Sequence, residues 1–155
     1  MSSPTLEQLS IRAQTWLGAQ LIRQFCSSNG IEDHRIFRFC QYLEELPQCT
    51  DIPAWDAKAS SLEVSGRESL PQDLQDIAGL SELLESVHEI SASQIYGAWQ
   101  PQIGTSFLRK AAQLAGIDIQ QQTALLRKLS EHEPATDGWG KPVTSSLLKK
   151  WQNAA

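Results

Sequence analysis

The chain has 155 residues, of which 41% are hydrophobic and 20% are charged, and its formal net charge at pH 7 is −5. This composition is typical of one soluble globular domain, which we expect to span residues 1–155 without a cofactor or a structural metal. No segment approaches the roughly 20 consecutive apolar residues of a membrane span, and the N-terminus lacks the features of a secretory signal. The cysteines Cys26, Cys40 and Cys49 lack paired spacing, which favours a reducing compartment and therefore the cytoplasm.

Apolar residues recur at helical spacing along nearly the whole chain, which predicts a single all-α bundle of about six or seven helices. The first helix is predicted to begin at Pro4, with Ser3 as its N-cap, and to end at the turn of residues 27–30. A second helix is predicted from about residue 33 to residue 46. Between residues 47 and 70 the pattern loosens, and we expect a long acidic loop with one short helix near residues 55–62.

In the second half of the chain, helical spacing resumes at Pro71 and continues to about residue 95, either as one helix or as two helices broken near Gly79 or Ser91. The next helix is expected to close at Gly116, because glycine adopts the left-handed conformation that ends helices.

Two N-caps are predicted near the C-terminal end. Asp118, with Gln121 three residues later, forms a capping-box pattern before the following helix. Thr144 is predicted to cap a short last helix that carries Trp151. Trp16 and Trp151 follow apolar stripes and are expected in the core.

Charge is distributed unevenly along the sequence. Residues 1–43 carry a net charge of +1 and residues 90–155 carry +3, whereas residues 44–89 carry −9. That middle segment contains eleven carboxylates against two cations, Lys58 and Arg67. Clustered carboxylates attract a basic partner and accelerate its association, although a solvated surface kept for solubility has the same composition.

We expect a basic protein partner to bind this acidic segment. Its cationic groups would meet the carboxylates, and an exposed aromatic side chain, Trp55 or Tyr42, would anchor the centre of the interface. The predicted contact residues are Glu44, Glu45, Asp51, Trp55, Asp56, Glu63, Glu68, Asp73 and Asp76.

Residues 107–112 followed by Gly116 resemble the turn of a helix-turn-helix DNA-binding motif, because Ala112 and Gly116 stand four positions apart. The resemblance covers residues 106–130 and implies phosphate contacts by Arg109, Lys110, Arg127 and Lys128. An ordinary helical hairpin accounts for the same residues, and the acidic net charge makes nucleic acid the less favoured partner.

No motif for catalysis or metal binding stands out. The three histidines, His34, His88 and His132, are far apart, and no nucleophile motif is present. We therefore predict a binding protein and not an enzyme: a cytoplasmic inhibitor of a basic protein. Bacterial immunity proteins, which block a toxin domain such as a nuclease, are similar in size and charge. The alternatives are a secretion chaperone or adaptor, the DNA-binding domain, and an enzyme whose site residues are dispersed.

Overall fold

Helices make up the architecture throughout the part of the chain that is described. The computed structural model describes residues 4–95 and 97–155. Within these ranges it has eight α-helices, four short 3-10 helices and no β-strand. The α-helices are α1 (Ile11–Ser28), α2 (His34–Glu45), α3 (Ile52–Ala57), α4 (Gln72–Gln75), α5 (Leu80–Ala92), α6 (Pro101–Ala115), α7 (Thr123–Ser130) and α8 (Ser145–Ala154). The predicted all-α bundle is confirmed, and it contains one α-helix more than expected.

Helix α1 is the centre of the bundle, and it packs against α2, α5 and α6. Most of its side chains are buried. A Cβ atom at Gly18 would lie 2.7 Å from a methyl carbon of Val87, so this glycine allows α5 to approach closely. Trp16 packs on Trp151 of α8, with 5.6 Å between the ring centroids. Both tryptophans are buried, as the sequence predicts.

The start of the first helix differs from the prediction. A 3-10 helix, Leu6–Gln8, comes first, and α1 begins only after Ser10. The Ser10 hydroxyl accepts a hydrogen bond from the backbone N–H of Ala13, which makes Ser10 the N-cap. Pro4 therefore lies outside the helix, and the proposed cap Ser3 lies outside the described residues.

The middle segment is more helical than a plain loop. α2 begins at the predicted position, and Asp33 caps it by accepting from two backbone N–H groups. Asp51 caps α3, which contains Pro53 in its first turn and overlaps the expected short helix, beginning three residues before it. A 3-10 helix, Lys58–Ser61, follows directly, and residues 62–71 contain no helix.

Glycines end or separate helices where the sequence predicts. Gly79, with φ +81°, separates α4 from α5, and Gly116, with φ +72°, ends α6. The capping box predicted at Asp118 is wrong. The Asp118 side chain caps nothing, Gln121 belongs to a 3-10 turn, and α7 begins at Thr123.

The connection between α7 and α8 is hydrogen-bonded to the N-terminal end of α1. The backbone N–H of Ile11 donates to the carbonyl oxygen of Gly138 over 2.8 Å. The guanidinium of Arg12 donates to the carbonyl oxygen of Gly140 and, from its other side, to that of Leu46. The connection therefore joins the first helix to the end of α2, and α8 then begins after Thr144, its predicted cap.

Candidate functional site

The two aromatic side chains predicted to be exposed and to anchor an interface are buried. Trp55 is 2% exposed and Tyr42 is 3% exposed. Their rings stack in parallel with centroids 4.4 Å apart, and the Trp55 indole N–H donates to the Tyr42 carbonyl oxygen over 2.8 Å. The exposure predicted for these two residues is therefore wrong, because both side chains are used to dock α3 on α2.

Several of the predicted carboxylates already have cationic partners within the fold. Glu44 forms a two-bond ion pair with Arg23, and Asp56 pairs with Arg67. The Asp56 residue is 7% exposed, so the expectation that it meets a partner at the surface is also wrong. These carboxylates hold the helices together and have little capacity left for an external cation.

Other predicted carboxylates are also engaged. Asp73 pairs with Arg35 across 2.6 Å, and the side-chain hydrogen bond from that guanidinium lowers the pKa of Asp73. Glu45 lies 3.4 Å from the ammonium of Lys58. Asp51 accepts from the backbone as the N-cap of α3. Most of the charge in residues 44–56 is therefore balanced internally.

Further along the chain the carboxylates have no such partners. Six side chains between residues 63 and 89 form no ion pair with any described residue, and all are exposed or partly exposed. The one cation in this stretch, Arg67, is bound to Asp56. We call these six residues the acidic surface: Glu63, Glu68, Asp76, Glu82, Glu85 and Glu89.

Half of the acidic surface lies on α5 and was not among the predicted contacts. Glu82, Glu85 and Glu89 are spaced by three and four residues, which places them on one face of the helix. Every other side of α5 is buried. The sequence contained a signal for this stripe in the alternation of these glutamates with buried leucine, valine and isoleucine.

The loop that carries Glu63 and Glu68 is fixed against α5. The backbone N–H of Gly66 donates to Nδ1 of His88 over 3.2 Å. A Cβ atom at position 66 would lie 2.4 Å from the carbonyl oxygen of Leu84, so only glycine allows this contact. α4, which ends beside Asp76, precedes α5 directly and contacts it, so the segment that carries Asp76 also lies next to α5.

His88 is buried and neutral at pH 7. Burial lowers the pKa of its imidazole to about 4, and the nearby charge of Arg67 acts in the same direction. Nδ1 accepts the Gly66 hydrogen bond, so the proton is on Nε2, which has no hydrogen-bond partner among the residues described. His88 therefore anchors the loop and adds no charge to the acidic surface.

The structure brings together a serine and a histidine that no sequence motif predicts to be close. The Ser10 hydroxyl lies 2.7 Å from Nδ1 of His132, while Nε2 of this histidine lies 2.6 Å from the carbonyl oxygen of Lys141. Ser10 is 0% exposed and caps α1. The pair is therefore closed to a substrate and serves to attach the connection between α7 and α8. No group of three metal-ligating side chains was found within residues 4–95 and 97–155.

The helix-turn-helix resemblance is not matched by the geometry. Seven residues, 116–122, separate α6 from α7, and they include a 3-10 turn. The DNA-binding motif joins its helices through a turn of about three or four residues. In addition, the guanidinium of Arg109 is paired with Glu7.

No protein-family model, curated protein or solved structure matches this chain. None of the helices within the described ranges has the length and apolar character needed to cross a membrane.

Proposed function

We propose that this protein is a cytoplasmic binding protein that inhibits a basic partner by covering its cationic site, in the manner of bacterial immunity proteins. The observation that carries the proposal is the acidic surface. Its six carboxylates have no cationic partner within residues 4–95 and 97–155, whereas the carboxylates in residues 44–56 are paired or cap a helix.

An uncompensated set of carboxylates costs folding energy. Like charges spaced by three or four residues on a helix destabilise it by about 0.2–0.5 kcal/mol per pair. Glu82 and Glu85 form one such pair, and Glu85 and Glu89 form another. A partner with clustered lysine and arginine side chains would remove this repulsion, and the field of the carboxylates would accelerate its arrival.

A nucleic-acid-processing toxin domain is a suitable class of partner. Such domains hold phosphates with clustered cationic side chains, and carboxylates mimic phosphates as acceptors for these groups. A protein that places six carboxylates over that site would block substrate binding without any catalytic residue of its own.

The test uses two variants that carry the same number of changes. The α5-neutralised variant combines Glu82→Gln, Glu85→Gln and Glu89→Gln. The control-neutralised variant combines Glu32→Gln, Asp118→Asn and Glu133→Gln, whose side chains are exposed, form no described ion pair and lie outside residues 63–89. Both variants raise the net charge by three, so they differ only in where the charge is removed.

Tagged wild-type protein and both variants are used to capture partners from the source cells at about 50 mM and about 500 mM salt, which changes electrostatic screening severalfold. We expect a stoichiometric basic protein with the wild type and the control-neutralised variant at low salt. We also expect its loss at high salt and with the α5-neutralised variant, and inhibition of the partner's activity by the wild type. A partner retained equally at both salts would support a chaperone or adaptor, and the absence of any partner would contradict the proposal.

A further inference from the structure

Helix α6 exposes a strip of apolar side chains. Ile103 is 38% exposed, and Phe107 and Leu114 are half-buried. Their spacing of four and seven residues places them along one edge of the helix, since 3.6 residues make one turn. We call these three residues the apolar strip. Its ends are eleven residues apart, which corresponds to about 16 Å of helix.

The apolar strip runs beside the carboxylates of α5. A Cβ atom at Gly104 would lie 3.8 Å from the carbonyl oxygen of Ile90, so the two helices meet closely at this end. α5 and α6 are consecutive and pack on each other extensively. The end of α5 therefore lies beside the start of α6, and the start of α5 lies beside the end of α6. Glu89, near the end of α5, is thus at about the same height along the two helices as Ile103, near the start of α6.

The remaining sides of α5 are covered by other segments. Val87 faces α1 at Gly18, and Leu84 faces the loop at Gly66. The exposed stripe of glutamates therefore lies between that loop and α6. On α6, the face that includes Leu108 is buried, and the apolar strip borders the exposed side. The two stripes therefore border the exposed seam between α5 and α6, and we call this seam the groove: the glutamates lie on its α5 side and the apolar strip lies on its α6 side.

We infer that this groove binds an amphipathic basic helix of the partner protein. Apolar side chains of the bound segment would cover Ile103, Phe107 and Leu114, while its lysine or arginine side chains would meet the glutamates of α5. Lys110 lies on the outer side of the strip and forms no ion pair with a described residue. The edge of the bound helix that faces Lys110 therefore accommodates an acidic side chain.

The charge of the groove selects this occupant over a second copy of the chain. Each copy carries a net charge of −5, so two copies repel each other. A purely apolar client would leave the three glutamates without partners. This inference depends on the proposed function, because it assigns the chemistry of the segment that the acidic surface binds.

The experiment measures the binding of fluorescent synthetic peptides by anisotropy at about 50 mM salt. The probe is a peptide of about 18 residues in which leucine and lysine alternate at helical spacing. One comparison peptide has the same composition in an order that spreads leucine around the helix, and the other has glutamate in place of lysine. The variants are Ile103→Ser, the α5-neutralised variant, and Gln113→Ser, a control on the exposed side of α6 outside the apolar strip.

We expect the amphipathic basic peptide to bind the wild type and the Gln113→Ser variant. Ile103→Ser and the α5-neutralised variant should each weaken binding at least fivefold, and both comparison peptides should bind at least fivefold more weakly. Because Ile103 is already exposed, its replacement should preserve the fold, which circular dichroism checks. Amide chemical shifts in the wild type provide an independent readout, and the bound peptide should move signals of α5 and α6 together.

Two outcomes separate this inference from the proposed function. Binding that depends on the α5 glutamates but not on Ile103 or on the order of the peptide residues would overturn the groove and leave the acidic surface as the binding site. No binding by any basic peptide, together with no shift in α5 or α6, would also overturn the groove. The capture experiment with the two neutralised variants would then decide the proposed function separately.

Discussion

Gly138 is a residue on which the connection between α7 and α8 depends. Its backbone has φ +84°, and a Cβ atom there would lie 2.4 Å from the ring of Trp99. Gly30 also has a positive φ, of +64°, but no neighbouring atom lies within 4 Å of its Cβ position. Substituting each glycine in turn therefore separates two costs in folding free energy: that of a left-handed backbone and that of a steric clash.

We expect Gly138→Ala to lower the free energy of unfolding by about 2–4 kcal/mol, because strain and overpacking add. Gly30→Ala should cost about 1 kcal/mol, since only the backbone conformation is disfavoured. Urea denaturation of both variants measures the difference. Equal losses would mean that the indole of Trp99 moves aside without cost.

Prediction from the sequence at this scale succeeds for backbone requirements and fails for exposure. Gly116 was predicted correctly and Gly79 was one of two candidate break points, because a left-handed residue at a helix end is a local property. Trp55 was predicted to be exposed and is buried. Its burial depends on the stacked ring of Tyr42, thirteen residues away, and α3 is too short to show an apolar period.

At the scale of elements, the contact between His88 and Gly66 holds the loop of residues 62–71 against α5. Phe39 and Tyr42 of α2 pack near the imidazole, and the charge of Arg67 acts on it. Protonation of Nδ1 would remove the acceptor of the Gly66 hydrogen bond and place a second cation beside Arg67. The attachment of the loop should therefore depend on pH.

The pKa of His88 is about 4 in the folded protein and about 6.5 in an unfolded chain. Between these values the unfolded chain binds a proton that the folded protein does not bind. The free energy of unfolding should therefore decrease by about 3 kcal/mol as the pH falls from about 6.5 to about 4, and this contribution should stay constant below that range. Burial lowers the pKa of His132 as well, so it acts in the same direction.

His88→Gln keeps a hydrogen-bond acceptor for Gly66 but does not titrate. We expect this variant to lose most of the dependence of stability on pH between about 6.5 and about 4. His34→Gln, at an exposed position, should keep it. Denaturation curves across this pH range measure the effect. An unchanged slope in His88→Gln would show that other groups control the response to acid.

The helix boundaries show which elements a sequence can specify. The cap of α8 was predicted because Thr144 precedes regular apolar spacing. The capping box at Asp118 failed because the backbone forms a 3-10 turn there, and α7 starts only at Thr123. Two sequence patterns of equal quality thus led to different structures, since tertiary packing decides the path of short connections.

For the whole molecule, the sequence located the acidic segment but not its unpaired part. Charge counting places the excess of carboxylates in residues 44–89. Only the structure shows that Glu44, Asp56 and Asp73 have internal cations, while the α5 glutamates have none among the residues that the structure describes. The partners Arg23 and Arg35 are distant in sequence, so no local pattern could reveal which carboxylates are neutralised.

If the acidic surface serves binding, its carboxylates should lower the free energy of unfolding of the protein. We expect the α5-neutralised variant to be as stable as the wild type or more stable by up to about 1 kcal/mol, because repulsion between neighbouring glutamates is removed. The control-neutralised variant should stay within about 0.5 kcal/mol of the wild type. Thermal and urea denaturation of the three proteins make the comparison. A loss of more than about 1 kcal/mol in the α5-neutralised variant would show that these glutamates serve the fold.

The most direct test of the proposed function is the association rate constant of the captured partner, measured against salt concentration for the wild type and the two neutralised variants. At about 50 mM salt we expect the α5-neutralised variant to associate at least tenfold more slowly than the control-neutralised variant. Dissociation should change less, and the difference should shrink towards about 500 mM salt as screening increases. Equal association rates of the two variants at low salt would contradict the assignment of the acidic surface as the binding site.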